Sequence, residues 1–425
     1  MSSRGGVGGA WIEIGDMLGA GDCGLGIVAQ SQMDPRMRVR PNPTEVERAA
    51  KLLVEAKMPL MIVGDEIYKT KAADKAIQLA EMLGMAVTQF RQIHANFPET
   101  HPLWVGYVPG GSTNALAFPK NVDVVINVGN KLQHAGVNPI VPRGPKFIDL
   151  RIDYNSMGNI IATEVPLVAD VAYGLDDLIA AIAGLMTNDL REKAAERSDE
   201  IRRFSQQARI LRAQIVNNPE WDNSPLIADR LTWEVAQFAD KDAIVIQEAG
   251  ASAMHSFDFN PLGGRELFFY YGGHLGSGIG TSAGVKLARP KQQVICLVGD
   301  GSFIFGPTAL WNMARLQLPV IVIVYNNHAY SGPHSRIVSN VPGGRMVQTG
   351  QFYTEYLGRP DMNMASIAKG FGVDGEVVDS ARQLRAALGR ARAASVEGKP
   401  YLIDAQVARR GVGWTDKPWL PAVTV

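Results

Sequence analysis

The sequence predicts an α/β protein of two parallel-sheet, three-layer domains. Between residues 44 and 188, short apolar strands (LMIVG, AVTQF, VDVVINVG, KFIDLRI) alternate with helical stretches such as KAADKAIQLAEMLG. That is the pattern of parallel strands covered by helices. Between residues 221 and 425 a second series (AIVIQEAG, LFFYYGG, QVICLVGD, VIVIVYNN, PYLIDAQVA) repeats the alternation. A chain of 425 residues that is 46% hydrophobic is also too long for one ordinary core.

Residues 1–43 form an N-terminal strand and linker: the strand-like AWIEI lies among glycines, and SQMDPRMRVRPNP reads as an exposed connector. Thr44 and Glu47 form a capping-box pattern, and TEVERAAKLLVEA then carries apolar residues at helical spacing, opening the 44–188 domain. The charged stretch 189–220 reads as a solvated connecting helix. After the breaker NNPEWDNSP, Ser224 as N-cap and Pro225 at the first helical position are expected to open the 221–425 domain. Neither an internal repeat nor a long low-complexity segment interrupts the chain.

Forty-two basic residues balance forty-two acidic ones, so nothing electrostatic points to nucleic acid or an anionic membrane as partner. The two cysteines, Cys23 and Cys296, suggest neither a disulfide framework nor a thiolate metal site. The N-terminal residues lack a basic region followed by an apolar one, and no apolar run reaches the ~18 residues of a membrane span. A cytoplasmic small-molecule enzyme is the expectation.

The chemistry concentrates in VGDGSFIFGPTALWNMARLQLPVIVIVYNN. Two near-continuous apolar strands separated by a crossover helix should be parallel neighbours, which puts Asp300 and Asn327 at the same carboxyl edge. A carboxylate, an amide oxygen and the backbone carbonyl of Ala329 make three hard oxygen donors suited to Mg²⁺, with phosphate and water completing the shell. Gly301 and Ser302 can offer backbone N–H groups to a phosphate. A hairpin at Asp-Gly is the plainer alternative for GDG alone.

Gly299-Asp300-Gly301-Ser302 followed by Asn326-Asn327 resembles the signature of enzymes that use thiamine diphosphate. Residues 44–425 are similar to the central and diphosphate-binding domains of the thiamine-diphosphate decarboxylase, acetolactate synthase and 2-hydroxyacyl-CoA lyase group, with a benzoylformate-decarboxylase-like pattern around GDGS and NNHAY. The resemblance implies thiamine diphosphate and Mg²⁺ as cofactors, with Asp300, Asn327 and the Ala329 carbonyl as metal ligands. It also implies that Ala251 and Ser252, in EAGAS, touch the diphosphate and that Tyr330 lies beside it. YGGHLGSGIGTSAGVKLA resembles the loop that receives the two cofactor rings. There Leu275 would force the V-shaped conformation and the Gly273 carbonyl would hold the 4′-amino group near the thiazolium carbon. The same segment, Gly278-Ile-Gly280 followed by a helix and by a strand ending in Asp300, also satisfies a loose dinucleotide fingerprint, leaving an NAD-dependent oxidoreductase as the rival.

Relatives carry a pyrimidine-binding domain before the central one, with a glutamate that activates the aminopyrimidine. The 43 residues before Thr44 fall short of the ~150 such a domain takes, yet GGAWIEIGDML resembles its last strand. The expectation is a large subunit whose smaller partner carries that domain and the activating glutamate, in a heterotetramer or larger assembly. A non-catalytic cofactor-binding subunit is the other alternative.

The implied reaction breaks or forms a C–C bond of a 2-oxo acid, 2-hydroxyacyl-CoA or α-hydroxyketone through an enamine on the cofactor. Among His255, His274, His328 and His334, the first choices for substrate-side proton handling are His274 and His334. Pro333 is expected to shape the substrate pocket, and Trp414 and Trp419 either to close over it or to pack the tail. LMIVGDEIY offers no multi-glycine phosphate loop, so no second cofactor is expected in the central domain.

Overall fold

The computed structural model describes residues 39–90, 93–108, 118–132, 141, 144–249, 256–269, 274–352, 354–358 and 360–409. The expected strand at 9–17 lies outside these residues, as do Cys23, Ala251, Ser252, His255, Gly273, Trp414 and Trp419. The described residues divide into two compact units, one running to residue 90 and from 101 to 205, the other comprising 93–100 and 206 onward.

The first unit runs α1 (Pro43–Glu55), β1 (Pro59–Val63), α2 (Asp65–Thr70), α3 (Ala73–Leu83), β2 (Ala86–Gln89), β3 (Trp104–Tyr107), β4 (Val124–Val128), β5 (Lys146–Arg151), β6 (Val165–Val168), α4 (Val171–Leu185) and, as far as residue 205, α5 (Asn188–Ala213). Its strands form one parallel sheet in the order β3-β2-β1-β4-β5-β6. β1 and β4, at its centre, are buried along their whole length, which is why their sequences are apolar without alternation.

The start of α1 corrects the Thr44–Glu47 capping box. Asn42 is the N-cap, its side chain accepting the Thr44 N–H at 3.0 Å, and Pro43 fills the first helical position. Val46, Ala49, Ala50, Leu53 and Val54 form the buried stripe of α1. α5 is more than a solvated connector: it buries Ala194, Ile201 and Ser205, and Arg197 donates to the Leu83 carbonyl, its Nη2 at 2.6 Å.

The second unit runs α6 (Ala228–Phe238), β7 (Ile244–Glu248), β8 (Glu266–Phe269), α7 (Ser277–Ala288), β9 (Val294–Gly299), α8 (Asp300–Phe303), α9 (Ala309–Arg315), β10 (Val320–Asn326), α10 (Ser331–Asn340), α11 (Arg345–Thr349), α12 (Met364–Gly370), β11 (Asp374–Val378), α13 (Ala381–Val396) and β12 (Tyr401–Gln406). The parallel sheet has the order β11-β12-β10-β9-β7-β8. Alternate residues of its central strands enter two separate cores. Ile295, Leu297, Ile321 and Ile323 lie in one, and Val294, Cys296, Val298, Val320, Val322 and Val324 in the other. Burial pushes the Cys296 thiol up to about 12, so it acts as an inert core residue.

α6 also departs from the sequence reading. It begins at Ala228 with Ile227 as N-cap, not at Ser224–Pro225. Leu226 instead pairs with the end of the last strand, its N–H donating to the Gln406 carbonyl at 3.1 Å and its carbonyl accepting the Ala408 N–H at 2.7 Å. That pairing holds the segment extended, so the helix cannot start there.

The chain leaves β7 toward β8 and β9 toward β10, in opposite directions across the sheet. The carboxyl ends of β7 and β9 therefore frame a topological switch point, the place where open parallel sheets receive ligands.

Candidate functional site

β9 and β10 are parallel neighbours with Gly299 opposite Tyr325, which places the residues after each strand side by side. Asp300 begins α8 and does not turn a hairpin. A single donor then ties three positions together: the Ala329 N–H donates to Asp300 Oδ2 and to Asn327 Oδ1, both at 3.0 Å. Asp300 Oδ1 accepts the Gly301 N–H at 2.8 Å, and the Ala329 carbonyl accepts the Ser331 N–H at 3.1 Å. The Asn327 amide is oriented by donating from Nδ2 to Ser331 Oγ at 2.6 Å.

These oxygens fit a hard divalent cation. Each carries one N–H and keeps a second lone pair. Asp300 is 3% exposed, and burial raises its carboxyl to about 6 against the opposing N–H bonds of Gly301 and Ala329. A bound cation offsets that desolvation. Among the described residues no cluster of three or more His, Cys, Asp or Glu forms a metal cage. One carboxylate with two neutral oxygens leaves room for phosphate and water, as Mg²⁺ requires.

Gly301 is glycine for a reason the sequence did not reveal. A Cβ built there would stand 2.2 Å from Tyr330 Cε1, so the tyrosine ring lies directly over the turn. Burial, with the Asp300 charge second, raises the Tyr330 phenol. Ser302 is buried behind it.

The loop of the ring candidates runs beside the same turn, where a Cβ on Gly276 would stand 2.8 Å from the Gly306 N. Leu275 is 52% exposed, and His274 beside it is exposed. His334 is buried on α10, its ring 4.1 Å from that of Phe352, while Pro333 next to it is exposed.

Two features escaped the sequence reading. Asn326, Asp404, Gln406 and His328 form a polar network at the ends of β10 and β12. Glu248, at the end of β7, accepts the N–H groups of Gly276 and Gly278 at the start of α7. The second contact bears on the dinucleotide alternative, because a pyrophosphate at Gly278-Ile-Gly280 would need those same amides and would meet a carboxylate.

Residues 248–405 match the thiamine pyrophosphate enzyme C-terminal TPP binding domain, and residues 46–178 match the thiamine pyrophosphate enzyme central domain. A probable acetolactate synthase large subunit of Methanocaldococcus jannaschii is 25% identical over 376 residues, covering 85% of this chain and 60% of the relative. Benzoylformate decarboxylase of Pseudomonas aeruginosa is 24% identical over 375 residues, covering 86% of this chain and 64% of the relative. The crystal structure of benzoylformate decarboxylase from Polynucleobacter necessarius has the same fold, with a TM-score of 0.69 at 18% identity over 89% of this chain and 66% of that one. The chain thus spans about 60% of the length of the curated relatives it matches. No helix among the described residues is long and apolar enough to cross a membrane. With both domain matches falling on the two parallel-sheet units, the chain belongs to the thiamine pyrophosphate enzymes and carries their central and C-terminal cofactor-binding domains.

Proposed function

We propose that the chain is the large subunit of a thiamine-diphosphate-dependent lyase or transferase that breaks or forms a C–C bond next to a carbonyl. The substrate class is a 2-oxo acid, a 2-hydroxyacyl-CoA or an α-hydroxyketone. The observation that carries this reading is the oxygen triad of Asp300, Asn327 and Ala329, held by one N–H at the switch point.

In this reading Mg²⁺ is held by the Asp300 carboxylate, Asn327 Oδ1 and the Ala329 carbonyl. Gly299, Gly301 and Ser302 meet the diphosphate, with Ala251 and Ser252 from the loop after β7. Tyr330 walls the diphosphate on one side. Leu275 props the two rings of the cofactor, and the Gly273 carbonyl holds its amino group. When bound, thiamine diphosphate supplies a carbon nucleophile that adds to a carbonyl and accepts the electron pair of the adjacent breaking bond. The protein then has to orient the substrate, exclude water and move protons, tasks assigned here to His274 and His334.

We further propose a smaller partner subunit that supplies the pyrimidine-binding domain and the activating glutamate, in a heterotetramer or larger. The methanogen relative's name, a large subunit, implies a small subunit beside it. The half-exposed Leu275 and Phe305, 62% exposed, leave apolar surface for it to cover.

The test is calorimetry of thiamine diphosphate with Mg²⁺, on this chain alone and with the product of a neighbouring reading frame. Tight binding that needs the partner and disappears with EDTA is the expected result. Turnover by this chain alone would overturn the split site. Binding without turnover in any pairing would make it a non-catalytic cofactor-binding subunit.

A further inference from the structure

We propose that Glu248 is a positioning residue that ties the loop bearing His274 and Leu275, and the turn bearing Asp300 and Ser302, to the end of β7. The inference rests on the cofactor reading above and adds to it the part that sets the two halves of the site relative to one another.

Glu248 is the last residue of β7 and is 9% exposed. Oε1 accepts the Gly276 N–H at 2.5 Å and Oε2 accepts the Gly278 N–H at 2.7 Å. Ser302, in the Gly-Asp-Gly-Ser turn, lies near enough to the same carboxyl to help stabilise its charged form, and the backbone after it packs on Gly276, where a Cβ would stand 2.8 Å from the Gly306 N. One side chain on β7 therefore reaches two other segments that lie far from it in sequence.

The arrangement is built to closeness. Gly276 is the N-cap of α7 with φ 89° and has no side-chain cap of its own, so Glu248 satisfies the free N–H groups at that helix start from another strand. A Cβ on Gly278 would stand 2.5 Å from Glu248 Oε2. Burial raises the Glu248 carboxyl, and the two glycine N–H groups, with Ser302 nearby, oppose that shift. The Glu248 carboxyl also occupies the amides that a phosphate at the α7 terminus would need, leaving the Gly-Asp-Gly-Ser turn to receive the diphosphate.

Glutamine matches the length of Glu248 but has one acceptor, so its NH₂ must face one of the two glycine N–H groups. In Glu248→Gln, hydrogen exchange of residues 274–282 in the cofactor-free chain should accelerate about tenfold, the value of one lost charged hydrogen bond. Exchange in β10 and β12 should not change. The dissociation constant of thiamine diphosphate with Mg²⁺, measured on the assembly that binds it, should rise at least about tenfold. Arg385→Ala, which removes an ion pair with Glu234 between α13 and α6, serves as the stability control and should alter neither readout. Should E248Q not fold, Glu248→Asp, with both acceptors on a shorter stem, reads the same amides.

Unchanged exchange at 274–282 would overturn the tie. Faster exchange with unchanged cofactor affinity would overturn the positioning role and leave a helix cap. If the wild-type assembly binds no cofactor, the cofactor reading fails, while the exchange result still decides whether Glu248 holds the loop.

Discussion

The side-chain amide of Asn326 donates to Asp404 Oδ1 at 2.9 Å, joining the last residue of β10 to its neighbour β12. Asp404 also accepts the Met364 N–H at 2.9 Å and Gln406 Nε2 at 3.1 Å. Asn326 Oδ1 in turn accepts the His328 N–H at 3.2 Å, at a residue in the left-handed region with φ 54°. The strained turn that presents Asn327 and Ala329 is thus anchored from behind. Asp404→Ala should cost about 2–4 kcal/mol, because it strands the Asn326 amide and the Met364 N–H in the interior. It should also weaken Mg²⁺-dependent cofactor binding. Urea unfolding beside calorimetry checks both; lost stability with intact affinity would mean the turn holds itself.

Tyr330 and Gly301 form a second coupled pair. Gly301→Ala forces the ring away from the turn, since the added methyl would lie well inside contact distance of Cε1 and Cδ1. Cofactor affinity should fall about tenfold or more, a few kcal/mol of overpacking. Shrinking the partner should relieve part of that loss, so Gly301→Ala with Tyr330→Ala should bind better than additivity from the singles. A double-mutant cycle measures this. Strict additivity would show that the methyl acts on the turn itself and not through the ring.

The cycle also marks what was legible in the sequence. QVICLVGD and VIVIVYNN read as adjacent parallel strands because both faces of β9 and β10 are buried, which removes alternation. The juxtaposition of Asp300 with Asn327 follows from that. Element starts were less legible, because competing partners lay elsewhere. Asn42 outcompeted Thr44 as cap once Pro43 fixed the first helical position, and Leu226 was drawn into pairing by residues 406–408, about 180 positions away in the chain. Glu248 and Asp404 were invisible for the same reason. Each acts through a contact across the fold, and a lone acid at a strand end looks the same whether it caps a neighbouring helix or meets solvent.

Glu66 gives a pH test of the first unit. Burial raises its carboxyl from 4.5 to about 7, with the Ile152 N–H, donating to Oε2 at 2.9 Å, opposing the shift. The folded state therefore binds the proton more tightly than the unfolded chain. Its contribution is fully present below about pH 4.5 and is lost as pH rises through about 7. A shift of that size corresponds to about 3 kcal/mol at most. Glu66→Gln keeps an acceptor for Ile152 and removes the titration, so its unfolding midpoint should fall less between pH 5 and pH 8 than that of the wild type. Equal slopes would mean that Glu66 titrates normally in the fold.

His274 and His334 separate by environment, and their variants should separate by kinetics. His274 stands exposed beside Leu275, where its ring can be removed without disturbing the core. His334 is packed against Phe352 at 1% exposure on the helix that follows Tyr330. His274→Ala should leave the melting temperature unchanged and lower kcat by about 10²-fold or more, with a flattened limb in the pH profile, if it moves a proton in the reaction. His334→Ala opens a cavity under α10 and should lower stability by about 2 kcal/mol whatever its chemical role. His334→Gln retains much of the volume and a hydrogen-bonding group. If His334 handles a proton, the Gln variant should regain stability but not turnover. If both return together, the residue supports the helix and His274 alone carries the proton.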